Sequence, residues 1–156
     1  MTAETQTSRH SIATHRKAFR DYFVEERFEA GIELRGTEVK SLRAGEVNLA
    51  GAFARIENGE AVLYQMTVKP YEYGNQFNHE PARPRRLLLH RREIRKLAAE
   101  TAQKRLALIP LSVYFKRGRV KVELGLCRGK QQHDKRETLK RKTADREAQR
   151  AMRRWR

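Results

Sequence analysis

Along most of this chain, apolar and polar positions alternate over short runs, and turn residues interrupt them at close intervals. His15 to Phe23 is short and mixed, a helical turn leading into a strand. The run FEAGIEL, Phe28 to Leu34, suits an extended strand with Gly31 at a close approach or bulge. Thr37 then reads as the N-cap of a two-turn helix, with Val39 and Leu42 at i,i+3 and Gly45 as its stop. Ala52–Glu57 and Glu60–Thr67 flank Asn58-Gly59, the strongest short-range signal for a hairpin. Pro70 to Pro84 is loop-like, and Leu87–Leu89 is a brief strand. Arg91–Gln103 carries Ile94, Leu97 and Ala98 on one face of a helix. Leu106–Phe115 and Val120–Leu126 form a second hairpin across Arg117-Gly118.

Six or so short strands with two short helices, and no repeated βαβ unit, predict a small closed or nearly closed barrel. The expected fold class is mainly β: an OB-like small β-barrel with two or three short helices and a basic C-terminal tail that is disordered when free. The expected organisation is a flexible N-terminus at 1–14, a barrel at 15–127 and the tail at 128–156.

Charge sharpens this picture. Of 156 residues, 35 are Lys or Arg and 19 are Asp or Glu, for a net charge of +16. The 29 residues from Arg128 hold 12 basic and 4 acidic side chains, so half of the excess lies in under a fifth of the chain. Such a cationic surplus points to a polyanion, with nucleic acid the first candidate. That segment has only Leu139, Met152 and Trp155 as large apolar residues, too few to offset its ordering entropy by burial. A solvated basic helix lying on the body is the alternative. A single cysteine excludes a disulfide framework and a cysteine-built zinc site. No apolar run approaches the ~18 residues of a membrane span, and the N-terminus lacks the apolar core of a secretory signal. A soluble, cytoplasmic protein is the expectation.

Several stretches carry candidate chemistry. GTEVKSLRAG sets Lys40 and Arg43 at i,i+3 on a short anchored helix, where they can grip adjacent phosphates or simply form a solvated face. Tyr71, Tyr73, Phe77, Asn78 and His79 interleave with Arg83, Arg85 and Arg86, a mixture suited to stacking on bases or to covering one barrel end. In GKQQHDKRE, His133 and Asp134 sit among Lys130, Lys135 and Arg136. Base stacking and acceptance from base donors suit them better than catalysis, because adjacent residues on a flexible segment rarely hold acid–base geometry. Ala144, Ala148, Met152 and Trp155 recur as one thin helical stripe, marginal as an isolated helix, or as chance spacing in an Arg/Ala-rich tail. Nucleotide-loop, dinucleotide, zincin and esterase motifs are absent, and the five histidines are scattered. No metal, cofactor or catalytic set is expected, and Cys127 reads as a small core residue.

Taken together, FEAGIELRGTEVKSLRAG, RRLLLHRREI and LIPLSVYFKRGRVKVELGLCRGKQQHDKRE resemble the SsrA-binding protein family, the small protein B of bacterial trans-translation. The match runs from about Arg16 to Arg141. The resemblance implies a non-enzymatic partner of transfer-messenger RNA in the rescue of stalled ribosomes. It implies a body that binds the tRNA-like domain near its elbow and a tail that enters the decoding centre and mRNA channel, becoming helical there. It also implies a monomer, and contact with elongation factor Tu through the RNA complex. Carried over, the elbow candidates are Tyr22, Glu29, Lys40, Arg43, Asn48, Asn78 and His79, and the decoding-centre candidates are Lys130, His133, Asp134, Lys135 and Arg136. Three positions depart from the family: His15 where Asn is usual, Gln131 where Lys is usual, and Cys127 where Ala is commoner. A general RNA-binding protein without this specificity, or a nuclease using His133 and Asp134, are the alternatives.

Overall fold

The computed structural model describes residues 9–72 and 78–154, and of residues 132–134 and 154 the backbone only. In chain order the elements are β1 (Arg9–Thr14), α1 (Arg16–Asp21), β2 (Tyr22–Ile32), α2 (Gly36–Arg43), β3 (Val47–Asn48), β4 (Phe53–Glu57), β5 (Glu60–Tyr64), β6 (Thr67–Val68), β7 (Arg85–Leu88), α3 (Arg91–Lys104), β8 (Ala107–Lys116), β9 (Arg119–Gly129) and α4 (Gln132–Arg154).

Two hairpins set the register. Asn58 and Gly59 have φ of 51° and 75°, and Arg117 and Gly118 have 52° and 76°. Positive φ at both central residues gives the primed turn whose twist matches its flanking strands. Hence Glu57 faces Glu60, and Lys116 faces Arg119. The sheet runs β1-β8-β4-β5-β7-β2-β9, and β9 pairs back onto β8, so six antiparallel strands close a ring with β1 added along the outer part of β8. Closure removes the exposed edges that an open sheet of this size would present. The inner face holds Phe28, Ala30, Ala61, Leu63, Leu87, Leu108, Val113, Val122 and Leu124, with Leu42 and Leu97 pressed in from α2 and α3. A second cluster of Ala18, Ile109, Leu111 and Cys127 seats α1 on the outside of β8 and β9.

The mainly β, small-barrel expectation matches the structure; the boundaries differ in four places. Thr37 is not the N-cap of α2. That place falls to Arg35, whose N–H donates to the Glu38 carboxylate at 2.8 Å, while Thr37 bonds His79 instead. The strand expected from Phe28 begins at Tyr22, because β9 offers it a partner from Lys121 to Gly129. Residues 9–14, expected within a flexible N-terminus, form β1 against residues 112–116 of β8. A polar run reads as loop in sequence, but the free edge of β8 supplies its hydrogen bonds. Finally, residues 128–129 complete β9 and 132–154 form one helix, where disorder is the expectation for the free tail. No Gly or Pro follows Gly129, and Lys, Arg, Glu, Gln and Ala all favour helix.

Candidate nucleic-acid interface

The expected site residues fall into three places. The first is built on α2, β3, β6 and the chain that follows β6. Lys40 and Arg43 stand exposed in the last turn of α2, and neither has a carboxylate partner among the described residues. The Lys40 ammonium lies 5.3 Å from the centroid of the Tyr71 ring. Asn48 is exposed on β3, and its Oδ1 accepts the Ala50 N–H at 2.8 Å. Asn78 and His79 are in the same neighbourhood but are spent internally. Asn78 accepts the Tyr71 and His79 N–H groups and donates to the Tyr71 carbonyl at 2.6 Å. His79 is 3% exposed; its Nε2–H donates to the Val68 carbonyl and its Nδ1 accepts the Thr37 hydroxyl, both at 2.9 Å. These two side chains fix the loop against α2 and β6, and so hold Tyr71 beside Lys40.

Under this surface lies a buried ion cluster that the sequence reading did not single out. Glu38 is fully buried and accepts Arg83 and Arg85 at 2.5 Å each. Arg85, equally buried, also donates to the carbonyls of Met66, Pro81 and Arg83. Burial opposes ionisation of Glu38, but the bonds from Arg83, the Arg35 N–H and Arg85 outweigh it and hold its pKa below the usual carboxylate range. The cluster ties α2 to β7 and to Met66 just before β6, so the cations of α2 ride on a fixed base. Arg83 and Arg85, read in sequence as base- or phosphate-facing, point inward.

The second place is the tip of the β8–β9 hairpin. Glu29 on β2 accepts the Tyr114 hydroxyl at 2.5 Å and the Lys116 ammonium at 3.2 Å. Burial opposes its charge, but those bonds and nearby Lys121 lower its pKa. Burial and the Glu29 carboxylate in turn raise the Tyr114 phenol. Glu29 is thus an anchored anion among cations. Lys116, Arg117, Arg119 and Lys121 surround it around a shallow hollow of about 450 Å³.

The third place is the root of α4. Tyr22 opens β2 opposite Gly129, half-buried beside the second apolar cluster. Seven residues of strand, about 23 Å at 3.3 Å each, separate it from Glu29, so no single compact patch holds all the elbow candidates. The Lys130 N–H donates to the Asp21 carbonyl at 2.8 Å, and its Nζ donates to the Phe19 carbonyl and to Thr138 Oγ1. Lys135 lies 3.7 Å from Asp21. Arg136 is exposed. His133 and Asp134 lie in the first turn of α4, and their side chains are outside the described residues. Tyr73, Phe77, Trp155 and Arg156 lie outside them too.

Two of the three departures, His15 and Cys127, find local explanations. His15 is buried, donating from Nδ1 to the Pro110 carbonyl while its own N–H meets the Leu111 carbonyl. Cys127 is fully buried, and burial pushes its thiol up to about 11, so it stays protonated at neutral pH. Among the described residues no group of three potential metal ligands converges, and no helix is long and apolar enough to cross a membrane.

Charge is distributed unevenly over these parts. On the barrel, Glu25, Glu26, Glu29, Glu33, Glu38, Glu60, Glu100 and Glu123 each face a Lys or Arg. On α4, Lys140, Arg141, Lys142, Arg146, Arg150 and Arg153 are exposed and form no ion pair among the described residues.

A small closed barrel bearing fixed, unneutralised cations and a cationic helix defines a polyanion-binding platform with an appended arm. The chain belongs to the SmpB family: the family model described as "SmpB protein" matches residues 12–154. It is 56% identical over 142 residues to the SsrA-binding protein of Carboxydothermus hydrogenoformans, covering 91% of this chain and 95% of that one. It is 60% identical over 136 residues to the SsrA-binding protein of Caldanaerobacter subterraneus, covering 87% and 86%. A solved structure described as "tmRNA-SmpB: a journey to the center of the bacterial ribosome" is 49% identical with a TM-score of 0.65, covering 81% of this chain and 93% of that one.

Proposed function

We propose that this protein binds transfer-messenger RNA and delivers it to stalled ribosomes for trans-translation, as a binding protein and not an enzyme. The relatives' names specify SsrA binding, and the similar solved structure is described in terms of tmRNA and the bacterial ribosome. The observation that carries the reading here is the division of charge. Barrel carboxylates such as Glu29, Glu38 and Glu123 face Lys or Arg, whereas Lys40, Arg43 and, at the hairpin tip, Arg117, Arg119 and Lys121 form no ion pair among the described residues and stand as contacts for a folded RNA. The α4 cations from Lys140 to Arg153 are left unmatched among the described residues, on a helix about 34 Å long at 1.5 Å per residue.

In this reading the barrel at 15–127 grips the tRNA-like domain through Tyr22, Glu29, Lys40, Arg43 and Asn48, with Asn78 and His79 shaping the surface. The tail at 128–156 occupies the decoding centre and mRNA channel through Lys130, His133, Asp134, Lys135 and Arg136. The setting is the cytoplasm. Competition binding tests it: the tRNA-like domain should displace labelled transfer-messenger RNA far better than an unrelated duplex of equal length. Equal competition would instead favour a general RNA-binding protein, since phosphate contacts alone carry no preference.

A further inference from the structure

An open cleft of about 630 Å³ lies against the barrel wall, lined by α1, β4 and β8. It exists because β4 and β8 share only one paired position, Ala54 with Leu108, so the ring is thinnest there. Its apolar lining on the outer side of the wall includes Ala18, Ala107 and Ile109. Phe53 and Tyr22 are the aromatic side chains in its lining. Phe53 is held across the β4–β5 hairpin by a stacked Tyr64, with centroids 5.4 Å apart and planes at 20°. Tyr64 is itself fixed by a 2.6 Å bond from its hydroxyl to Glu57. Two cations, Lys17 and Arg55, line the same cleft, and neither has a carboxylate partner among the described residues. The Arg55 guanidinium lies 5.2 Å from the Phe53 centroid. Asp21 also lines the cleft, but it is already paired with Arg20 and Lys135. Tyr22 and Asp21 also belong to the root of α4; Phe53, Lys17 and Arg55 belong to none of the surfaces described above.

We propose that this cleft receives one unpaired ribonucleotide, its base stacked on Phe53 and its phosphate between Lys17 and Arg55. The volume falls in the range of small-ligand sites. A half-buried aromatic on a sheet, flanked by uncommitted cations, is the arrangement that binds single-stranded bases by stacking and charge together. An apolar side chain of a protein partner would suit the apolar lining but leave both cations unanswered. The proposal rests on the reading that RNA is the partner, and concerns a site separate from the α2 and hairpin-tip surfaces.

The test uses the full chain and two labelled probes, hexaadenylate and an abasic hexamer of equal phosphate number, titrated by fluorescence anisotropy. The tail attracts both probes alike, so the ratio of their affinities isolates stacking. The expected result is a preference for hexaadenylate of at least about fivefold, the low end of one base stack. Phe53→Leu should collapse it towards unity, and Arg55→Ala should reduce it. Tyr64→Phe keeps the ring and should leave it within about twofold. Arg55 is exposed on the outer face, so its variant remains informative if Phe53→Leu fails to fold. Equal affinity of the two probes in the parent chain, or a preference unchanged in both variants, overturns the proposal. Titration of the tRNA-like domain runs beside it: loss there in the parent chain would refute the function reading, whereas an intact affinity with no hexaadenylate preference refutes only the cleft.

Discussion

Glu38 concentrates the energetics of the α2 surface in a single carboxylate. Replacing it with Gln leaves Arg85 buried and uncompensated, a change that costs about 3–5 kcal/mol when one partner of a buried pair is removed. Glu38→Gln should therefore lower the urea midpoint strongly and the melting temperature by roughly 10 °C. Its depressed folded-state pKa also sets a pH dependence. Such a carboxylate contributes stability that is fully present above the unfolded value, near 4.3, and that is lost as pH falls towards the folded value. Glu123 behaves likewise: burial opposes its charge, but Arg9, Arg27 and Ser112 overcome it. Unfolding free energy should stay level between pH 7 and about 5 and fall below that, with a shallower fall in Glu38→Gln. The family resemblance carried Asn78 and His79 over as contacts, and their place in a basic, aromatic loop agreed with that. Only the fold shows their hydrogen-bonding capacity already used, and no local signal marks Glu38 as the fully buried carboxylate that Arg83 and Arg85 enclose.

Helix α2 and helix α4 present cations by different means. On α2 the charges are few and the backbone is immobilised from below by the ion cluster and His79. Because Lys40 and Arg43 are exposed, Lys40→Ala with Arg43→Ala should leave the melting temperature within about 2 °C. It should weaken binding of the tRNA-like domain and reduce the slope of log affinity against log salt by about 1–2. A melting temperature that fell with the affinity would show the pair to be structural. On α4 the charges are many and the anchorage is confined to the root, where Lys130 reaches the Phe19 carbonyl and Thr138. Lys130→Met keeps the stem of the side chain and removes those bonds. Amide exchange across residues 131–140 should then accelerate while that of β2 and β9 is unchanged. Both hairpins and both body helices beyond Gly36 were legible as elements, since turn dipeptides and apolar spacing are local signals. β1 and the early start of β2 were not, because each depends on the hydrogen-bonding edge of a strand about a hundred residues away.

For the molecule as a whole, the barrel and the arm are energetically separate. The arm touches the body chiefly through α1, and its far two-thirds are exposed. Truncation after Lys130 should leave the urea midpoint and the affinity for the tRNA-like domain nearly unchanged, and should abolish rescue of stalled ribosomes in a reconstituted translation assay. Loss of RNA affinity on truncation would contradict the division of labour. The two hairpins and their turns, the cationic excess and its concentration beyond Arg128, and the family likeness are all properties of neighbours along the chain or of composition, so the linear order of residues was enough to settle them. Closure of the ring, the burial of Arg85 with Arg83 turned in beside it, the separation of Tyr22 from Glu29 along one strand, and the cleft beside Phe53 depend on which distant segments meet. Those were settled in three dimensions, because burial and strand pairing exchange solvent for partners that no short stretch of sequence contains.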